Sequence, residues 1–279
     1  MHPFCREAHY GNKKLIINAM AGENSRKVLA TKRYVNAIME KYTIEDYIKI
    51  MNKFKIDKAV IVSLNVKTAY GFYMVNNDDI ADFVSKYPER FIGFGCIDVP
   101  AQNAIDELDY AINSLNLKGI KLVPPAQKFD LSNKKFDPLW AKMIDSNILL
   151  WTHGGHQQSF IGSEAKYGHP MLIDDLALRF KDLIIIIGHM GVPWMWEAWS
   201  VAARHENVYI DISSHPHLYK WFPFDAYKSY NITNKLLLAT DYPLVHYSEI
   251  FLEFDKINID DGFRNKILGE NAQKLLKIS

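Results

Sequence analysis

Three short apolar runs each end in a residue that can bind a metal. Ile148-Leu149-Leu150-Trp151-Thr152 leads into His153, Leu183-Ile184-Ile185-Ile186-Ile187-Gly188 into His189, and Leu236-Leu237-Leu238-Ala239-Thr240 into Asp241. Runs of this length, rich in Ile and Leu, read as buried parallel strands. A (β/α)8 barrel keeps its chemistry at the carboxyl ends of such strands. Imidazole and carboxylate are the usual non-sulfur ligands of catalytic zinc. The pattern points to a metal-dependent α/β enzyme built as a TIM barrel.

Length and charge agree. The chain has 279 residues, against about 250 for one such barrel. Thirty-three basic and 32 acidic residues leave a net charge of +1. No long tract of one sign exists, which excludes nucleic acid and a membrane surface as expected partners. No apolar stretch approaches the roughly 20 residues of a membrane span. Cys5 and Cys96 cannot form a disulfide framework, so a reduced, cytoplasmic setting is expected. The N-terminus lacks the apolar core of a signal peptide.

Strand-like runs at 57–64, 91–97, 118–123, 148–153, 183–189, 208–212 and 235–240 alternate with helical patterns at 43–54, 77–86, 101–115, 138–145, 171–180 and 193–205. Strand alternating with helix implies a parallel sheet. Thr43 with Asp46, and Asn103 with Glu107, have the spacing of capped helix starts. No repeat or linker divides the chain, so residues 1–279 read as one domain. A closed barrel needs eight strands and seven are visible. The missing one is the first, just before His2, and the barrel is expected to lack it or carry it truncated. Residues 5–42, which follow that position, are expected to form a lid, an insertion loop or a dimer arm.

Each candidate has a purely structural alternative. His153 precedes Gly154-Gly155, which permits close approach of a ligand or of backbone; otherwise it is a hydrogen-bonded strand-end histidine. The same holds for His189 in Gly-His-Met-Gly. Asp241, in Ala-Thr-Asp-Tyr-Pro, could be a turn or N-cap residue. The three together at corresponding strand ends favour a site. His2 taken alone is a mobile terminal residue. Lys121, ending the strand Gly-Ile-Lys-Leu, is a substrate contact, a carbamate-bearing bridge or a snorkelling lysine. His156, His169, His215, His217 and His246 lie in loops bordering the same face. Trp194, just past His189, is expected to line the pocket, whereas Trp196 and Trp199 share a helix face and read as core or oligomer interface. Arg6, His9 and Tyr10 are pocket candidates from the lid. Arg90 precedes a strand and belongs to the opposite, structural end.

Five stretches in order resemble the amidohydrolase superfamily, in its amidohydrolase-related branch, from about Thr43 to the C-terminus. They are Asn77–Ala81 with Tyr87–Gly93, Leu183–Gly191 with its His-x-Gly, Asn207–Asp211, Leu237–Pro243 with its Thr-Asp-x-Pro, and Ile267–Ala272. That branch contains decarboxylases of the aminocarboxymuconate-semialdehyde and resorcylate types beside hydrolases and hydratases. Its first strand ends in His-x-His or Glu-x-His, and His2-Pro3-Phe4 resembles the second histidine of that motif. The resemblance implies His2, His153 and Asp241 as metal ligands, with His189 ligating or activating water. The chain departs from the pattern at the first ligand, which would precede Met1. Either the start lies a short way upstream or the chain is a true truncation, and the first reading is preferred.

The expected activity is therefore hydrolysis of a small, carboxylate-bearing substrate by a water activated on one divalent metal, Zn²⁺ before Mn²⁺. Asp241 and His189 are the catalytic pair. Lys121, His156, Trp194 and Arg6 are the expected substrate contacts. Non-oxidative decarboxylation on the same site is the alternative. A non-catalytic barrel with a degenerate site is disfavoured by the survival of His153, His189 and Asp241. The family also allows a homo-oligomer.

Overall fold

In the computed structural model the strands are β1 (Ala59–Val62), β2 (Leu64–Val66), β3 (Phe72–Met74), β4 (Phe91–Gly95), β5 (Gly119–Leu122), β6 (Leu149–Thr152), β7 (Ile185–Ile187), β8 (Val208–Asp211) and β9 (Leu236–Leu237). The structure describes residues 1–22 and 25–278, so positions 23–24 of the expected lid and residue 279 lie outside it. Seven strands form one parallel sheet in the order β1-β4-β5-β6-β7-β8-β9. Each is joined to the next by a crossover carrying helix, as the alternation of apolar runs and helical patterns requires. The sheet curls into a (β/α)8 barrel with its first strand cut short. Among the described residues no helix is long and apolar enough to cross a membrane. Both cysteines are buried free thiols.

Met1 and His2 occupy the place of the first strand. The α-amino group of Met1 donates to the Val60 carbonyl at 3.1 Å. Val62 N–H donates to the Met1 carbonyl at 3.0 Å, and His2 N–H donates to the Tyr242 carbonyl at 2.8 Å. Two residues thus stand between β1 and the segment after β9, at the carboxyl end alone. Beneath them a groove of about 390 Å³ is lined by Lys58, Val60, Leu237, Leu268, Ala272 and Leu276 among others. Met1 and His2 thus bridge β1 and the segment after β9 at the carboxyl end of the sheet.

The interior departs from the branched apolar filling usual for this fold. Phe94 meets Trp151 edge-on at 6.1 Å between centroids. The Lys121 ammonium lies 4.5 Å from the Trp151 ring centre, and the Trp151 indole donates to Asp211 Oδ2 at 2.7 Å. Gly119 leaves room for the Phe94 ring, since a Cβ there would lie 2.3 Å from a ring carbon.

Helix starts follow local chemistry in part. Thr43 and Asp46 form the reciprocal cap of the helix Ile44–Lys53. Asn103 makes no side-chain cap bond; its amide donates to Glu107 Oε1 at 3.4 Å, while Glu107 Oε2 accepts from the Asp98 N–H at 2.9 Å. That helix runs Ala104–Asp109 and widens into a π turn, Tyr110–Ser114. The antiparallel pair β2–β3 was not anticipated, although Leu64, Val66, Phe72 and Met74 alternate inward as such a pair demands. Arg90 lies at the structural end, donating to the carbonyls of Asp57 and Ile56.

Within residues 5–42 the helices Lys13–Ala21 and Ser25–Glu40 pack on each other. The first is tied to the loop after β6 by the bond from Ile161 N–H to the Ala19 carbonyl, 2.6 Å. That loop is itself held by backbone contact. Gly155, at φ +82, would place a Cβ 1.9 Å from the Val192 carbonyl oxygen, and His156 N–H donates to that same carbonyl at 2.8 Å. Gly162 also has positive φ but open space around it. Gly162→Ala should cost about 1–2 kcal/mol of left-handed strain. Gly155→Ala should cost a further 1–3 kcal/mol or so of overpacking. Urea unfolding midpoints of the two variants check the difference, and equal losses would remove the packing argument.

Candidate active site

One cavity at the carboxyl end of the sheet gathers most of the candidates. It has a volume of about 180 Å³. His2, Lys121, His153, His156, His189, His215 and Asp241 contribute its polar side, while Phe4, Met20, Leu64, Val123, Phe160 and Leu244 contribute an apolar wall. Met20 comes from the helix of the N-terminal arm.

Asp241 sits at the meeting point, in a left-handed backbone conformation of φ +67. His2 Nε2 lies 3.1 Å from its Oδ1, and the Ser214 hydroxyl donates to its Oδ2 at 2.6 Å. Burial pushes this carboxyl up, but the His2 bond, the nearby imidazoles and the Ser214 hydroxyl outweigh it and hold the carboxyl far below its usual range. His153 and His189 stack tilted at 4.4 Å between centroids. Burial lowers the pKa of His2 and that of His153, and brings His189 down to about 3. All three imidazoles are therefore neutral near pH 7, the form in which histidine ligates metals.

His189 is held from below. Its backbone N–H donates to Asp211 Oδ1 at 3.0 Å, which fixes the left-handed turn at φ +57. Its Nδ1 lies 2.7 Å from Ser213 Oγ. Lys121 is 3 % exposed, and its Nζ is buried without a hydrogen-bond partner. Burial lowers its pKa, while Asp211 and Asp241 pull it back up. Gly188 makes room for it, because a Cβ there would stand 3.0 Å from Nζ. A buried unpaired ammonium is costly, and this one borders the cavity.

The donor set suits a divalent cation that takes nitrogen and oxygen ligands. His153 Nε2 and His2 Nδ1 are buried polar atoms without partners. Even so, the groups stand in pairs: among the described residues no three His, Cys, Asp or Glu are close enough together to grip one ion. His2 engages Asp241 directly where a ligand set would open around a metal.

Two expected contacts lie elsewhere. Arg6 is on the surface, paired with Glu7 at 3.2 Å, because the chain turns outward after Cys5 and Arg6 N–H bonds the Tyr42 carbonyl. Trp194 stacks on His169 at 4.7 Å, outside the cavity wall. His9 pairs with Asp79, His246 with Ser248, and Tyr10 donates to the Cys5 carbonyl. Trp196 is exposed and meets Trp199 edge-on. His215 enters the wall, with His217 beside it at 5.9 Å. Ser213, Ser214 and Asp211 escaped sequence reasoning. Their signal was the polar end of the 208–212 run, the same cue that singled out His153 and His189.

The comparisons with known proteins come to the same place. A gamma-resorcylate decarboxylase from Polaromonas is 23% identical, covering 73% of this chain and 75% of that protein. The crystal structure of an uncharacterized TIM-barrel protein from Bordetella bronchiseptica superposes with a TM-score of 0.74 at 25% identity, covering 86% of this chain and 84% of that one. A dihydroxybenzoic acid decarboxylase from Polaromonas, solved with bound manganese and the inhibitor 2-nitroresorcinol, has a TM-score of 0.71 at 17% identity, covering 98% and 96%. The family model described as Amidohydrolase matches residues 33–278, and this protein belongs to that family.

Proposed function

We propose that this protein is a metal-dependent, non-oxidative decarboxylase of a small hydroxylated aromatic acid. The observation that carries the reading is the two-sided cavity: Lys121, His189 and Asp241 face an apolar wall of Phe4, Met20, Leu64 and Phe160. One side suits a carboxylate and a phenolic hydroxyl, the other a ring face. The relatives support carbon–carbon cleavage over the hydrolysis to which the residues alone lean, and one of them holds manganese.

His2, His153 and Asp241 would hold the metal, which requires the His2–Asp241 pair to open. When bound, it supplies positive charge that anchors the substrate's oxygens and draws electron density from them. Lys121 takes the substrate carboxylate, gaining the partner its ammonium lacks. A bound anion raises the proton affinity of neutral His189 above its value in the free cavity. His189 Nε2 then accepts the phenolic proton, which sends electron density into the ring. The proton passes to the ring carbon that bears the carboxylate. The bond to the carboxylate breaks, its electron pair stays on the ring, and CO₂ departs. The exchange consumes one proton overall. The apolar wall keeps the ring flat against the site and excludes competing water.

Turnover is tested by offering hydroxylated benzoates beside esters, amides and lactones. Release of CO₂ is expected, and water addition without it would return the assignment to hydrolysis. Metal analysis should find about one divalent ion per chain, and a chelator should abolish CO₂ release until manganese or zinc is restored; undiminished activity in metal-free protein would exclude the metal. Asp241→Asn should lower turnover by about 10²-fold or more in a protein with an unchanged circular dichroism spectrum. Lys121→Met should raise KM for the acid by roughly tenfold or more, the loss of one charge-assisted bond, while metal content stays the same. An unchanged KM would remove Lys121 from the substrate site.

A further inference from the structure

The two consecutive serines after β8 each reach one of the two reactive groups, Ser213 to His189 and Ser214 to Asp241. The Ser213 contact can be resolved to the level of individual protons. Asp211 is 1 % exposed and surrounded by donors. Its Oδ2 receives the Trp151 indole N–H at 2.7 Å. Its Oδ1 receives the backbone N–H of His189 at 3.0 Å, that of Ser213 at 2.9 Å, and the Ser213 hydroxyl. Three of these four are N–H groups that can only donate, and two of them occupy both lone pairs of Oδ1, so a proton on Oδ1 aimed at Ser213 would break a backbone bond. The group is therefore a carboxylate, and the single hydroxyl proton of Ser213 must point at it; otherwise two bare oxygens would face each other at hydrogen-bond distance. With that proton committed, Ser213 Oγ can only accept from its other neighbour, His189 Nδ1, 2.7 Å away. Nδ1 must carry the hydrogen.

We infer that Ser213, backed by Asp211 and Trp151, is a positioning residue that holds neutral His189 as the Nδ1–H tautomer, so that Nε2 presents a lone pair to the cavity. In this state His189 can accept a proton or a hydrogen bond there but cannot donate one. A free imidazole samples both tautomers, and a histidine facing the wrong way would offer an N–H where the reaction needs an acceptor. The chain Trp151–Asp211–Ser213–His189 crosses from β6 through β8 to the loop after β7, so it ties the tautomer to the interior of the barrel rather than to a mobile surface group. No metal is needed for this inference, and a cation on Nε2 would leave the Nδ1–H in place. The catalytic consequence rests on the reading above that His189 faces the reacting atoms.

Long-range ¹H–¹⁵N NMR of the histidine side chains reads the tautomer directly. The protein is measured as purified and again after chelator treatment, and His189 is assigned by the signal missing from His189→Asn. The wild type should show a neutral Nδ1–H imidazole for His189 in both states, and an Nε2–H signature would overturn the inference without any further variant. Ser213→Ala should lose that signature or mix the two tautomers, and Ser213→Thr, which keeps the hydroxyl, should restore it. A folded Ser213→Ala protein with the wild-type signature would also overturn it. On an acid that the enzyme turns over, Ser213→Ala should lower kcat by about 10–100-fold with little change in KM, and Ser213→Thr should recover most of it. If no aromatic acid is turned over, the functional reading fails while the tautomer measurement still stands or falls alone.

Discussion

A buried carboxylate organises the catalytic end of this barrel. Asp211 has no solvent to stabilise it, so it must be satisfied by donors on every side, and those donors come from three neighbouring strands and their loops. Removing a buried charge's partners costs far more than any one bond contributes when made. The geometry is thus strongly over-determined. The indole of Trp151 is locked by it, which in turn seats the Lys121 ammonium over the ring. The backbone of His189 is locked by it, which explains how a bulky residue is kept at positive φ. Left-handed backbone at non-glycine residues is costly and persists where the surroundings enforce it. Of the eleven such residues among the described ones, His189, Ser214 and Asp241 border one cavity.

Much of the site was legible because barrel strands are short and buried on both faces. A polar residue at the end of an unbroken apolar run stands out, which is how His153, His189, Asp241 and Lys121 emerge from the sequence. The same cue was present at Asp211-Ile212-Ser213-Ser214 and went unread, since serine carries no metal-ligand signal and Asp211 looked like the tail of its strand. Gly154-Gly155 was legible as a point of close approach; the structure adds that the approaching group is backbone, the Val192 carbonyl. Arg6 and Trp194 could not be placed, because proximity in sequence to a ligand does not fix the direction of a loop. Arg6 leaves the mouth one residue after Cys5, and Trp194 finds His169 on its far side. The Asn103 cap failed for a different reason. Its partner Glu107 divides between the Asn103 amide and the Asp98 N–H, and neither bond caps the helix.

Very little backbone is needed to bring His2 to the site. Three backbone hydrogen bonds hold Met1 and His2 between β1 and the turn after β9, and the His2 ring is then delivered to Asp241. The rigidity of β6 to β8, cross-braced through Asp211, and the lighter anchoring of His2 are two different mechanical situations within one cavity. On the proposed reading, the proton-accepting His189 falls on the cross-braced side.

That division bears on the reaction. Hydrolysis asks the site to hold a water at a defined angle to an electrophilic carbon, against groups that stabilise a growing oxyanion. Decarboxylation asks for something else: a carboxylate kept away from bulk water, a ring held flat, and a proton returned to one carbon as a neutral gas molecule leaves. An apolar wall of Phe4, Met20, Leu64 and Phe160 is a poor host for a positioned water and a good one for a ring. A histidine limited to accepting on Nε2 draws a phenolic proton into the exchange before any can be given back. On the proposed reading, Ser213 and Asp211 favour that order of events, proton out of the hydroxyl before proton onto the carbon. Fold alone leaves the reaction open; the two-sided cavity is what supports the proposed decarboxylation.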